Sequence, residues 1–226
     1  MSAGQAVFLV GGRGSRLGDL TNDIPKPLLP VAGRPFIEHL LDKAVRDGFN
    51  DLILLAGYRH ELVQAYAGQW RGVSVRVSVE TEPLDTAGAI ANAVPLLDEQ
   101  FLVVNGDTWF DFDWSQLQLS APYDGVIAAC RVTPADRYET LSIEAGRLLQ
   151  FVPRHAAAEG LINGGVYRLK RKPFEGMSGR RSLERDIFPD ACAAGRLGAT
   201  VFDGPFIDIG LPESLIAAGS ILPMQP

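Results

Sequence analysis

Three uninterrupted apolar runs constrain the fold of this chain most: "AVFLV" at Ala6–Val10, "LILLAG" at Leu52–Gly57 and "FLVVNGD" at Phe101–Asp107. A strand with no polar face must be covered on both sides, as in a parallel sheet packed between helices. The intervening segments fit that arrangement. In "FIEHLLDKAVRDG", Phe36, Ile37, Leu40, Leu41, Ala44 and Val45 share one helical face, and Gly48 is placed to end the helix. "RHELVQAYAG" and "DTAGAIANAVPLL" also read as helices, while "VSVRVSVE" at Val73–Glu80 alternates as a strand does. The first half is thus β-α-β-α-β-α-β, which predicts an α/β fold with a doubly wound, mostly parallel sheet. In such sheets ligands sit at the carboxyl ends of the strands. The loop after Val10 and Asp107 should share that edge.

The second half has a different rhythm. "DGVIAACRV", "ETLSIEAGRLLQFV" and "LINGGVYRLKR" read as strands joined by tight turns, Glu144-Ala-Gly-Arg147 among them. "SLERDIFPDACAAG" reads as a helix capped by Ser182 and disturbed at Pro189; "ATVFDGPFIDIG" adds one or two strands, and "PESLIAAGSIL" a last helix. With no linker or repeat, residues 1–226 read as one domain: a nucleotide-type half over about 1–110 and a more antiparallel half over about 111–226. The formal charge of −6 argues against a nucleic-acid binder. Cys130 and Cys192 lack metal-ligand spacing and read as reduced, buried thiols. The first apolar run is too short for a signal peptide or a membrane span, so the expectation is a cytoplasmic protein.

Positive charge is nevertheless concentrated in "GGRGSRLGDLTNDIPKPLLP", Gly11–Pro30, with Arg13, Arg16 and Lys26, and Arg34 just beyond. The stretch is neither a dinucleotide fingerprint, since Leu17 stands at the third glycine position, nor a Walker loop, since it lacks the Gly-Lys-Ser/Thr ending. It remains a glycine turn after a buried strand, suited to phosphate oxygens, with Arg16 as a planar phosphate ligand. Pro25 and Pro27 restrict the backbone on either side of Lys26.

Asp107 ends a buried strand beside this loop, where a carboxylate suits Mg²⁺. Asp208, in "FIDIGLP", is a carboxylate enclosed by apolar neighbours, a costly setting that a metal would relieve. Asp111 and Asp113 read as solvated or capping residues and Asp203 as a turn residue. His39, His60 and His155 show no ligand spacing, and no Ser/His/Asp or Cys/His arrangement stands out.

At these residues the chain resembles a known family. "GGRGSRL…KPLLPVAGRP" is similar to the G-G-x-G-x-R-L…K-P signature of sugar-1-phosphate nucleotidyltransferases. The likeness continues through "EPLDTAG", "NGD", "RY", "LINGGVY" and "FIDIGLPES", essentially the whole chain, and within the family looks most like the D-glycero-D-manno-heptose 1-phosphate guanylyltransferases. The resemblance implies a Rossmann-like nucleotidyltransferase fold and the reaction NTP + sugar 1-phosphate → NDP-sugar + pyrophosphate, with GTP and the heptose phosphate as the substrate pair. It implies Arg16 and Lys26 as catalytic residues, and Gly11, Gly12, Gly14, Ser15, Glu80, Pro83, Thr86 and Gly88 around the nucleotide. Gly106, Glu139, Arg154, Asn163 and Gly164 would face the sugar phosphate, and Asp107 and Asp208 would hold Mg²⁺. Neither nucleic acid nor membrane is an implied partner; a homodimer is among the states the resemblance allows. Glu80 would read the base edge, and its two acceptor oxygens match guanine's N1–H and 2-amino donors.

Four positions depart from the heptose pattern: Asp85 replaces a glycine, Glu139 replaces the glycine of "RYG", and Pro153-Arg154 replace a Glu-Lys pair. "LDT" is closer to the "LET" of N-acetylmuramate 1-phosphate uridylyltransferases. Uridylyl or thymidylyl transfer to a hexose or amino-sugar phosphate therefore stays open, as does an inactive nucleotide-binding regulatory subunit. A glycosyltransferase using "DTW" as its metal motif would leave the glycine loop without a role.

Overall fold

A computed structural model describes residues 4–154 and 159–222. The first half holds β1 (Gly4–Leu9), two two-residue strands β2 (Pro30–Val31) and β3 (Arg34–Pro35), α1 (Phe36–Arg46) and β4 (Phe49–Ala56). It continues through α2 (His60–Gln64), β5 (Gly68–Trp70), β6 (Val73–Val79), α3 (Asp85–Asn92), β7 (Gln100–Asn105) and β8 (Thr108–Phe110). The second half holds β9 (Gly125–Val132), β10 (Thr140–Glu144), β11 (Arg147–Val152), β12 (Gly160–Lys170), α4 (Phe188–Ala193), β13 (Leu197–Phe202), β14 (Phe206–Asp208) and α5 (Pro212–Ile221).

One ten-stranded sheet runs in the order β10-β11-β13-β9-β12-β7-β1-β4-β6-β5. The block β7-β1-β4-β6 is parallel, as the three apolar runs predict. The expectation of a mostly parallel, doubly wound sheet is nevertheless corrected, because the sheet is mixed. β12 lies antiparallel to both β7 and β9, β10 and β11 form an antiparallel hairpin, and β5 adds an antiparallel edge. Tight turns reverse strand direction, as between β10 and β11, whereas β13 returns parallel to β9 only after α4. The β10–β11 turn has Ala145 and Gly146 at φ 49° and 79°, the paired left-handed backbone of a two-residue hairpin.

Alternation along the central strands divides the core in two. Ala6 and Phe8 face α1 through Phe36, Ile37, Leu40, Leu41 and Ala44, while Val7 faces α3 through Ala87 and Ile90. The first helix ends as expected, with Gly48 at φ 91°. On its face Lys43 is only 2% exposed, and its ammonium reaches Asp47 (2.9 Å), Asp111 (3.1 Å) and the Phe112 carbonyl (2.7 Å). Asp111 is therefore tied to α1 as well as solvated, and Asp113 caps the next turn through the Ser115 N–H. "RHELVQAYAG" is helical only to Gln64; Gly68, at φ 122°, turns the chain into β5. Ser182 does cap its helix, accepting from the Arg185 N–H, but Leu183–Ile187 is a π-turn leading to α4 at Phe188. Both cysteines are buried and free. Among the described residues no helix is long and apolar enough to cross a membrane.

Candidate active site

The carboxyl ends of β1, β4, β6 and β7 open into a cleft of about 980 Å³, at the upper end of the range of small-molecule sites. Gly11, Gly12, Gly14, Ser15, Arg16, Lys26, Glu80, Pro83, Thr86, Gly106 and Asp107 all line it, so the predicted nucleotide side comes together. The loop after β1 turns at Gly14 (φ 71°), where a Cβ would stand 2.9 Å from the Lys26 Cβ. Glycine there provides both the left-handed turn and room for the lysine. The Leu17 N–H bonds the Gly14 carbonyl at 2.9 Å, and buried Leu17 anchors the following Ser15–Thr21 turn.

Lys26, held between Pro25 and Pro27, is 6% exposed, and its Nζ lies 2.5 Å from Asp107 Oδ2. Asp107 follows β7 and its other oxygen accepts from the Thr108 hydroxyl at 3.1 Å. Burial alone would raise the Asp107 carboxyl; the Lys26 ammonium, the Thr108 hydroxyl and the Arg16 charge outweigh it and hold the group below its ordinary value. Asp208 stands opposite Thr108 in the β8–β14 ladder, and the Ile209 N–H bonds the Asp107 carbonyl at 2.8 Å. Two distant segments are thereby joined next to the cleft, with Asp107 in its lining and Asp208, outside the lining, one ladder position on. Asp208 is not an unpaired buried carboxylate: Tyr138 Oη donates to its Oδ2 at 2.8 Å and the Gly210 N–H to its Oδ1 at 3.0 Å. A Cβ at Gly210 would stand 2.6 Å from Asp208 Oδ1 and 3.3 Å from an Arg16 guanidinium nitrogen, so this glycine separates the two.

Across the cleft, Glu80 lies over Gly11 and Gly57; an added Cβ would meet its Oε1 at 2.9 Å and 2.1 Å respectively. Burial raises the Glu80 carboxyl and the Asp85 charge adds to it, against a bond from the Leu84 N–H at 3.2 Å. Asp85 occupies a left-handed position (φ 62°) at the first residue of α3, its Oδ1 accepting from the Thr86 N–H at 2.9 Å and its Oδ2 paired with Arg185. That backbone suits the glycine expected here from the heptose pattern, and aspartate, a residue tolerant of left-handed geometry, can stand there.

Several expected site residues lie elsewhere. Gly88 is buried behind the lining, where a Cβ would stand 2.7 Å from the Gly179 carbonyl; it serves packing of α3 on that loop. Gly164 is likewise a packing position, since a Cβ would meet the Phe110 ring at 2.6 Å and the Ala128 carbonyl at 2.7 Å. Asn163 stands behind the cleft, with its Oδ1 accepting from the Gly165 N–H (2.9 Å) and its Nδ2 donating to Tyr167 Oη (3.0 Å). Glu139 and Arg154 are exposed and outside the lining. Arg34 is directed away from the cleft and pairs with Asp42 at 2.5 Å, beside buried His39. His60 lines the cleft, and His155 lies outside the described residues.

Sequence reasoning missed Gly57, Tyr58, Asn105, Arg180 and Gly210 in the lining. Tyr58 sits between the Arg13 and Arg59 guanidinium groups, 5.5 Å and 5.9 Å from its ring centroid, and its hydroxyl donates to the Asn22 carbonyl at 2.5 Å. The position of Gly57 at the end of an apolar run, and of Asn105 and Gly210 beside the two aspartates, were signals available in the sequence.

A glycine loop, a fixed ammonium and a buried aspartate at the edge of a parallel block define an α/β protein with a cleft suited to phosphate oxygens. The chain belongs to the nucleotidyl transferase family of enzymes, whose sequence model matches residues 5–224. It is 34% identical over 212 residues to the D-glycero-alpha-D-manno-heptose 1-phosphate guanylyltransferase of Campylobacter jejuni, covering 92% of this chain and 96% of the relative. It is 33% identical over 216 residues to the enzyme of the same name from Aneurinibacillus thermoaerophilus, covering 92% and 94%. A crystal structure of HddC from Yersinia pseudotuberculosis complexed with GMP-PN superposes with a TM-score of 0.85 at 31% identity, covering 96% of this chain and 98% of that one. The architecture is therefore the α/β nucleotidyltransferase fold.

Proposed function

We propose that this enzyme transfers a guanylyl group from GTP to a sugar 1-phosphate, D-glycero-α-D-manno-heptose 1-phosphate, releasing pyrophosphate. The observation that carries the reading is the convergence of Arg16, Lys26, Asp107 and Asp208 at the mouth of the glycine loop. The names of the two similar guanylyltransferases support the substrate pair. Glu80, an acceptor-only carboxylate when ionised, faces the cleft over Gly57 and meets the paired donors of guanine. Residues 1–226 act on this reading as one domain, with the base and triphosphate in the first half and the sugar in the second.

In the reaction an oxygen of the sugar phosphate attacks the α-phosphorus in line. A new O–Pα bond forms as the bond from Pα to the bridging oxygen of pyrophosphate breaks. No covalent protein intermediate is needed, so the protein contributes position and charge. The N–H groups from Gly11 to Arg16 cradle the triphosphate, and Arg16 stabilises the departing pyrophosphate. Lys26 meets the α-phosphate or the incoming phosphate, exchanging its bond to Asp107 for one to a phosphate oxygen. Asp107 and Asp208 are oxygen donors of the kind Mg²⁺ takes, and among the described residues no third metal-type side chain joins them; substrate oxygens would complete the shell. Bound there, Mg²⁺ would neutralise developing phosphate charge. The acceptor side is assigned to Gly106, Asn163 and the exposed Glu139 and Arg154.

The test is pyrophosphate release with Mg²⁺, crossing GTP, UTP, dTTP, CTP and ATP with the heptose phosphate, mannose 1-phosphate, glucose 1-phosphate and N-acetylmuramate 1-phosphate. Release confined to GTP with the heptose phosphate is the expected result. Release with UTP and an amino-sugar phosphate would give weight to Asp85 and replace the substrate pair. No release with any pair, while GTP still binds, would replace the reaction by a regulatory nucleotide-binding role.

A further inference from the structure

A directed polar network lies beneath the cleft, joining its two sides. Tyr167 is fully buried on β12, yet its hydroxyl receives the Asn163 Nδ2 at 3.0 Å and the Asn105 Nδ2 at 3.4 Å. With two donors pointing at it, that oxygen directs its own proton to Glu184 Oε1, 3.5 Å away. The other Glu184 oxygen accepts from the Thr86 hydroxyl at 3.0 Å and the Ser182 hydroxyl at 3.1 Å. Thr86 Oγ1 in turn receives the Leu183 N–H at 2.7 Å, which leaves its proton for the carboxylate. Every arrow of the network thus ends on Glu184, a group that only accepts when ionised.

The three outer members belong to different parts of the site. Thr86 lines the cleft at the start of α3. Asn105 lines it two residues before Asp107; among the described residues its buried Oδ1 has no hydrogen-bond partner, and Tyr167 is the one group there that fixes this carboxamide through a hydrogen bond. Asn163 stands on the strand assigned to the acceptor. Glu184 itself is carried by the π-turn Leu183–Ile187, an irregular turn of a kind often kept at functional sites. From this arrangement we infer that Glu184 is a positioning residue that couples the two substrates. By holding Thr86 and, through Tyr167, Asn105 and Asn163 in one orientation, it makes occupation of the nucleotide side favour occupation of the acceptor side. Ordering one end of a shared, fully directed network removes part of the ordering cost of the other. The inference rests on the substrate assignment above and goes beyond it, since Glu184 touches neither substrate.

The experiment is calorimetric titration of the whole protein with GMP-PNP and Mg²⁺, alone and with saturating D-glycero-α-D-manno-heptose 1-phosphate. The wild type is expected to bind GMP-PNP about 5-fold or more tightly when the sugar phosphate is present, a typical site-to-site coupling. Glu184→Gln introduces a donor where three hydroxyl protons converge, and should bring that ratio close to unity. Tyr167→Phe keeps the ring and cuts the link to Asn163 and Asn105; it should do the same, and it carries the test if the Gln variant does not fold. A merely structural role would weaken both ligands without changing the ratio. A wild-type ratio retained in the variants, or a ratio of one in the wild type with both ligands bound, overturns the coupling alone. Failure of the wild type to bind either ligand overturns the guanylyl assignment and this inference with it.

Discussion

Asp85 offers a test of whether backbone or side chain governs the mouth of the cleft. Its φ of 62° is left-handed, its side chain caps the Thr86 N–H, and it pairs with Arg185 and, at 3.6 Å, with Arg180. Loss of the cap costs about 1 kcal/mol. The ion pairs contribute about 0.5 kcal/mol, because both arginine side chains are some 70% exposed (69% and 70%). Alanine in this backbone costs about 1 kcal/mol more than glycine. Asp85→Ala should therefore destabilise by about 2 kcal/mol, whereas Asp85→Gly, which makes the same two losses but relieves the backbone, should cost only about 1 kcal/mol. Asp85→Asn keeps both the cap and a left-handed-tolerant residue, and should stay within about 0.5 kcal/mol of wild type. Urea unfolding at neutral pH, with m-values compared across the series, measures all three. A glycine variant as unstable as the alanine variant, or more so, would refute the reasoning and assign the position to its side chain.

Two further expectations concern other parts of the molecule. Asp42 accepts from Arg34, Arg71 and Trp70; burial would raise its carboxyl, but these donors hold it below the ordinary carboxylate value. A depressed carboxylate stabilises the fold above the unfolded pKa and loses that contribution as pH falls through the folded value. Asp42→Asn should thus cost about 1–2 kcal/mol at pH 7. Urea midpoints should converge with wild type as the pH drops below the ordinary carboxylate range; a gap constant down to acid pH would contradict this. Gly57→Ala would drive a Cβ to within 2.1 Å of Glu80 Oε1, forcing that side chain out of place. GTP affinity should fall about tenfold or more, equivalent to about 1.4 kcal/mol, with little change in stability, and unchanged affinity would remove Glu80 from the base pocket.

The parallel block was legible because strands covered on both faces leave no polar positions, as in "LILLAG" and "FLVVNGD". The antiparallel character of the second half was legible in its tight turns, Ala145-Gly146 among them, but the order of its strands was not. β12 is drawn between β7 and β9 by pairings such as Tyr167 with Val103 and Ile127, partners 64 and 40 residues away by position number. No local pattern encodes such a neighbour. β5 was hidden for a different reason: "RHELVQAYAG" has helical spacing throughout, yet Gly68 reverses the chain so that Trp70 can donate to Asp42 at 2.8 Å on α1. A long-range contact there overrides local propensity.

At the site, residue types were legible and partners were not. The sequence marks Lys26, Asp107 and Asp208 as unusual, but only the fold shows that Lys26 pairs with Asp107 across 81 positions and that Asp208 is already satisfied by Tyr138. This changes how an acidic chain can hold a polyphosphate. Arg13, Arg16, Lys26 and Arg180 line the cleft together with Glu80, Glu82, Asp85 and Asp107, so its cations are matched by carboxylates and only their placement favours a phosphate at the glycine loop. Net charge therefore says little about this ligand; the placement of Arg16 and Lys26 beside the glycine loop decides. A divalent cation held by Asp107 and Asp208 would add positive charge there and release Lys26 to a phosphate oxygen, so that cation and triphosphate are expected to bind more tightly together than either does alone.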